Sequence, residues 1–119
     1  MNISKFSALT GLSPHTLRYY EKLGLLSHIS RNDSGHRSYS SADAEWVRFI
    51  NRLKVTGMPL KQILTYAQLR EAGANTFQQR RLLLEQHRNA LQTRIDNDLE
   101  HLRALDAKIA FYDADKPLT

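Results

Sequence analysis

Between Phe77 and Tyr112 the chain runs 36 residues without a glycine or a proline. Those two residues stop or bend helices, so their absence over such a length points to one continuous helix. Within it Leu84, Leu91, Ile95, Leu99, Leu102, Leu105, Ile109 and Tyr112 recur at spacings of seven, then of three and four. That is the period of an apolar seam along an α-helix. Arg88, Arg94, Asp96, Glu100, Arg103, Asp106 and Lys108 occupy the other faces. At 1.5 Å per residue such a helix is about 54 Å long. A domain built from the preceding residues is only about 30 Å across. The helix is therefore expected to overhang, and its seam needs cover from outside the domain. A second copy of the chain is the simplest cover, as a homodimer through an antiparallel coiled coil. The alternative is a helix folded back on its own domain.

The charge is divided in the same place. Residues 1–72 hold ten Lys and Arg against five acids, whereas residues 73–119 hold seven of each. The whole net charge of +5 thus sits in the first part. A polyanion is the expected partner there, and a neutral surface or self at the other end. Ordinary solubility charge is the bland alternative. The 119 residues contain no cysteine. That excludes disulfides, thiolate metal sites and cysteine-based redox sensing. No apolar run is long enough for a membrane span or a signal peptide. The expected location is cytoplasmic, with no membrane partner.

Short elements fill the basic part. Ile3, Phe6, Leu9 and Leu12 indicate a first helix over about Ile3–Thr10. After "TGLS", Ser13 reads as an N-cap and Pro14 as the first position of a second helix, which Gly24 ends. In that helix Leu17, Tyr20 and Leu23 face inward, and His15, Thr16, Arg18, Tyr19 and Lys22 mostly outward. Two short helices joined by a tight Gly turn form a helix-turn-helix. "LLSHIS" and "HRSYS", separated by the turn cluster "NDSG", read as a two-stranded wing, packed down by Leu26, Ile29 and Tyr39. Ser40 or Ser41 caps a third helix, with Trp46, Val47, Phe49, Ile50, Leu53 and Val55 as its buried stripe. Pro59 opens a fourth helix, and Thr76 is expected to cap the long one. The domains are then 1–72 for DNA, 76–113 for dimerisation, and a frayed tail at 114–119. The fold class is mainly α: a winged helix-turn-helix followed by a long dimerisation helix.

"ISKFSALTGLSPHTLRYYEKLGLL", the wing "SGHRSYS" and "GMPLKQI" resemble the mercury-resistance-regulator (MerR) family of bacterial transcription regulators. The resemblance covers about residues 1–70 in motif detail and the rest in architecture. It implies a homodimer on a near-palindromic promoter operator. There the dimer bends and untwists an overlong spacer so that RNA polymerase can read both promoter elements. The wing departs from the family pattern: His36 stands where Tyr is usual, and Ser27-His28-Ile29-Ser30 lacks a common Pro. Metal and redox members sense through Cys, which this chain lacks. Members that bind organic ligands often carry a large C-terminal domain, which is not expected here. Any small-molecule effector is therefore one that does not depend on thiols, acting between the long helix and the partner's DNA-binding domain.

The chemistry of the candidate DNA contacts is consistent with that resemblance. Ser13, His15 and Thr16 sit at a helix N-terminus, where N–H groups and hydroxyls meet phosphates. Arg18 can grip a phosphate or a guanine edge with two donors. Tyr19 can lean on a sugar, while Tyr20 and Tyr39 read mainly as packing. Arg31, His36 and Arg37 lie on the wing, within reach of backbone or minor groove. Lys54 and Lys61 flank the fourth helix's start. No nucleophile motif, phosphate loop or close His/acid cluster is present, so no catalytic residue, metal or cofactor is expected. Two other readings remain: an effector-independent architectural DNA-binding protein, and an adaptor that uses only the coiled coil.

Overall fold

The computed structural model describes residues 1–27 and 29–114. His28 and all of the expected frayed tail except Ala114 lie outside the described residues. Among the described residues there are five α-helices, a 3-10 turn and one small hairpin. The helices and strands are α1 (Ile3–Thr10), α2 (Pro14–Lys22), β1 (Ser30–Arg31), β2 (Arg37–Ser38), α3 (Ser41–Val55), α4 (Leu60–Ala72) and α5 (Phe77–Asp113). Two compact units result, Met1–Arg81 and a second beginning at Leu82. The mainly helical architecture, with a winged helix-turn-helix and a long C-terminal helix, is the one expected from sequence.

In the first unit α1 packs on α2 and α3, and α3 on α4. The core is made by Phe6, Leu17, Leu25, Leu26, Val47 and Ile50, each almost wholly buried. Local chemistry sets the helix ends. The Asn2 side chain accepts from Lys5 N–H and starts α1. Ser13 accepts from Thr16 N–H at 3.1 Å and starts α2, with Pro14 at the first position. Ser40 and Asp43 form a reciprocal capping box at the start of α3, the arrangement that satisfies two orphan N–H groups at once. α2 and α3 end in the same way. Gly24 and Gly57 take positive φ, 85° and 95°, which Gly tolerates without a Cβ clash. The N–H of Leu25 then reaches back to Tyr20 O (2.9 Å), and that of Met58 to Leu53 O (2.9 Å). Each is a Schellman closure, which buries the apolar residue that follows the Gly.

The wing is shorter than expected. Only Ser30–Arg31 and Arg37–Ser38 pair, antiparallel, with Arg31 opposite Arg37. Leu25 and Leu26 are not strand residues, because the closure of α2 already uses Leu25 and bends the chain there. Their apolar character marks core burial, not extension. Tyr39 packs the wing down by stacking on Phe6 at 4.2 Å, nearly parallel. Its own backbone is tied to Met1 in both directions, the Tyr39 N–H donating to Met1 O and the Tyr39 O accepting from the Met1 ammonium. Two further expectations are corrected. Val55 is 74% exposed, because five residues beyond Ile50 place it about 140° around α3 from the core. Thr76 does not cap α5. It closes a 3-10 turn (Ala74–Thr76), is buried, and donates its hydroxyl to Leu69 O.

Among the described residues the Tyr20 and Tyr39 hydroxyls are buried without a hydrogen-bond partner. The Tyr39 phenol is pushed above its ordinary value of 10.0, first by burial and then by the Glu21 carboxylate. The folded state therefore favours the neutral phenol. Its contribution is fully present below pH 10 and is lost as pH rises through the raised value. Tyr39→Phe is expected to leave stability at pH 7 unchanged or raised by up to about 1 kcal/mol. It should also flatten the loss of stability above pH 10. Thermal melts from pH 7 to 11 check both.

In the second unit no α5 side chain is fully buried. Ile95, Leu99, Leu102, Leu105, Ile109 and Tyr112 are between 44% and 62% exposed. Leu84 and Leu91 are half-buried. The other face is held by polar pairs one turn apart, such as Gln92 to Asp96 at 2.9 Å. Among the described residues no helix is long and apolar enough to cross a membrane.

Candidate nucleic-acid interface

α2 presents two opposite faces. Leu17 and Tyr20 are buried, while His15, Arg18, Tyr19 and Lys22 are exposed. Its N-terminus is compact: Ser13 caps Thr16 N–H and also donates to the Thr16 hydroxyl at 3.0 Å. Beside the exposed face stands the wing tip, and Asn32 shapes it. The Asn32 carboxamide oxygen accepts from the N–H groups of Ser34 (3.0 Å) and His36 (3.1 Å). The Asn32 N–H donates to His36 O at 2.8 Å. Arg31 then folds over the tip and donates to Gly35 O at 2.9 Å. These bonds hold a five-residue tip that two short strands alone would not stabilise.

One bond fixes the wing against the helix. Arg37 donates through Nε to Glu21 at 2.5 Å, both side chains being partly exposed. This is a charge-assisted contact between β2 and α2. A groove of about 490 Å³ results, lined by Arg18 from α2, by Arg31, Asn32, His36 and Arg37 from the wing, and by the start of α1. Four of the predicted contacts are thus brought together around one basic depression. Tyr19 and Lys54 line a separate cleft. Ser13, His15 and Thr16 sit at the α2 N-terminus, and Lys61 is exposed in the first turn of α4. Among the described residues no group of three His or acidic side chains could hold a metal ion.

Sequence reasoning missed three contributors. Asn2 had a signal, since an Asn directly before the first apolar position is a capping residue. Asn32 lay inside a recognised turn, but its role depends on bonds to two specific N–H groups. Glu21 had none, being sixteen residues from Arg37.

The family model described as MerR HTH family regulatory protein matches residues 1–69. The chain belongs to the MerR family. A second model, described as MerR, DNA binding, matches residues 44–107. A helix-turn-helix-type transcriptional regulator of Haemophilus influenzae is 34% identical over 97% of this chain and 85% of its own length. A MerR family transcriptional regulator of Listeria monocytogenes has a solved structure that superposes with a TM-score of 0.88. It is 37% identical and covers 95% of this chain and 86% of its own. The structure of HiNmlR, a MerR family regulator lacking the sensor domain and bound to promoter DNA, gives a TM-score of 0.83. It is 33% identical over 99% of this chain and 89% of that one. MerR-family proteins are DNA-binding transcription factors, not enzymes, and this MerR-family chain is a DNA-binding regulator of transcription.

Proposed function

We propose that the protein works as a homodimer that reads a near-palindromic promoter operator and switches transcription by bending and untwisting DNA. The observation that carries this is the basic groove, where Arg18 and the wing residues Arg31, His36 and Arg37 converge. Residues 1–72 form the DNA-binding part, and residues 76–113 the dimerisation helix. Leu84, Leu91, Ile95, Leu99, Leu102, Leu105, Ile109 and Tyr112 form the seam, supported by the exposure of its second half. Two copies then present two α2 helices to two half-sites, so operator symmetry follows protein symmetry. Arg18 reads a base edge or a phosphate. Tyr19, Ser13, His15 and Thr16 hold the adjacent backbone, and Arg31 and His36 extend the grip through the wing. Arg37 acts partly through Glu21, by setting the wing angle. Lys54 and Lys61 hold flanking phosphates, and RNA polymerase is the partner on the same promoter.

Footprinting combined with transcription in vitro tests the reading. A protected promoter whose transcript level changes supports it. Protection with an unchanged transcript level instead marks an architectural DNA-binding protein. Lys61→Ala should weaken binding similarly across sequences and lower the slope of log affinity against log salt by about 1. Anisotropy titrations at several salt concentrations measure it.

A further inference from the structure

The cleft that Tyr19 and Lys54 share lies between α2, α3 and the start of α4 and measures about 320 Å³. Two helix endings build its floor. The Schellman closures of α2 and α3 turn Leu25 and Met58 inward, where they are 2% and 3% exposed. Ile63 of α4 completes the apolar floor. The rim differs in kind. Tyr19 and Leu60 are 48% and 45% exposed, and Lys54 is the one charged side chain among the lining residues. The Lys54 ammonium stands 5.9 Å from the Tyr20 ring centre, so it overlooks an aromatic wall.

An apolar cleft of a few hundred Å³ with one or two fixed polar groups is the usual form of a small-molecule site. Its chemistry selects the ligand. Aromatic and apolar walls accept a flat ring by offset or edge contacts, and a single ammonium at the rim accepts one negative charge. A DNA phosphate would use Lys54 but leave the exposed apolar surface of Tyr19 and Leu60 uncovered. We propose that this cleft binds a small aromatic carboxylate, its ring between Tyr19 and Leu60 above the Leu25–Met58–Ile63 floor and its carboxylate on Lys54. Bound there, the ligand opposes DNA binding, because it engages Tyr19 and Lys54. That second part rests on the assignment of those two residues to the DNA contact. With mutually exclusive binding, ligand at ten times its own Kd raises the apparent Kd for DNA roughly tenfold.

The chain has two methionines, and they report on different places. Met58 lies in the cleft, whereas Met1 is bonded to Tyr39 at the base of the wing. The full chain, labelled with 13C at the methionine methyls, is titrated with 2-naphthoate in the absence of DNA. The Met58 signal should shift saturably while Met1 stays in place. Naphthalene-2-carboxamide, the uncharged analogue, should bind roughly two- to fivefold more weakly, as for loss of a solvent-exposed ion pair. Lys54→Gln should abolish that preference. A Met58 signal that does not move at millimolar naphthoate overturns the site, as does an anion preference that survives in Lys54→Gln. DNA anisotropy with naphthoate, against the carboxamide as control, tests the opposition. An unchanged DNA affinity beside a shifted Met58 overturns it. A chain that binds no DNA even without naphthoate refutes the DNA contacts instead and leaves the Met58 titration standing.

Discussion

Leu102→Asp is expected to halve the molar mass of the protein measured by light scattering. Leu102 belongs to the second unit and is 52% exposed in the single chain. In the proposed dimer the same side chain lies in the seam against its partner. Burying one Leu contributes about 2 kcal/mol, and two copies per dimer make the loss about 4 kcal/mol. That weakens self-association roughly a thousandfold, before the penalty of bringing two carboxylates into an apolar seam. A further consequence is readable by circular dichroism. A long helix draws most of its stability from packing, so the helical signal of α5 should fall while that of residues 1–81 persists. A mass that does not change would contradict the coiled-coil reading.

Arg18→Ala is the second large effect, and it acts on DNA alone. Arg18 is exposed on α2 and lines the groove with the wing arginines. Removing it should weaken operator binding by about 1–3 kcal/mol, roughly five- to 150-fold. The melting temperature should stay within error of the parent, because the side chain contributes nothing to the core. If Arg18 reads a base, preference at that position relaxes as well. If it holds a phosphate, all sequences weaken together. A variant that binds like the parent would remove Arg18 from the interface.

Most of the architecture could be read from local rules. Ser13 with Pro14, Ser40 with Asp43, and Gly24 and Gly57 mark helix ends because capping depends on residues within one turn. The long helix was legible because 36 residues without Gly or Pro leave little alternative. The errors fall where local pattern and tertiary context part. Leu25 and Leu26 look like a strand, but they are the buried end of a helix closure. Val55 is apolar yet lies off the core stripe. Thr76 has the chemistry of a cap and uses it on Leu69 instead. The site followed the same division. The residue types that face outward from α2 were legible from the 3.6-residue period. The groove that unites Arg18 with the wing depends on the Arg37–Glu21 bond, which no local spacing announces.

Selection from a random duplex pool with the intact chain, followed by sequencing of the enriched duplexes, tests the central claim most directly. The account predicts an enriched inverted repeat whose two half-sites keep a fixed separation, with less duplex recovered at the same protein concentration for Arg18→Ala. Enrichment of a single half-site without symmetry, or of no sequence at all, would contradict it.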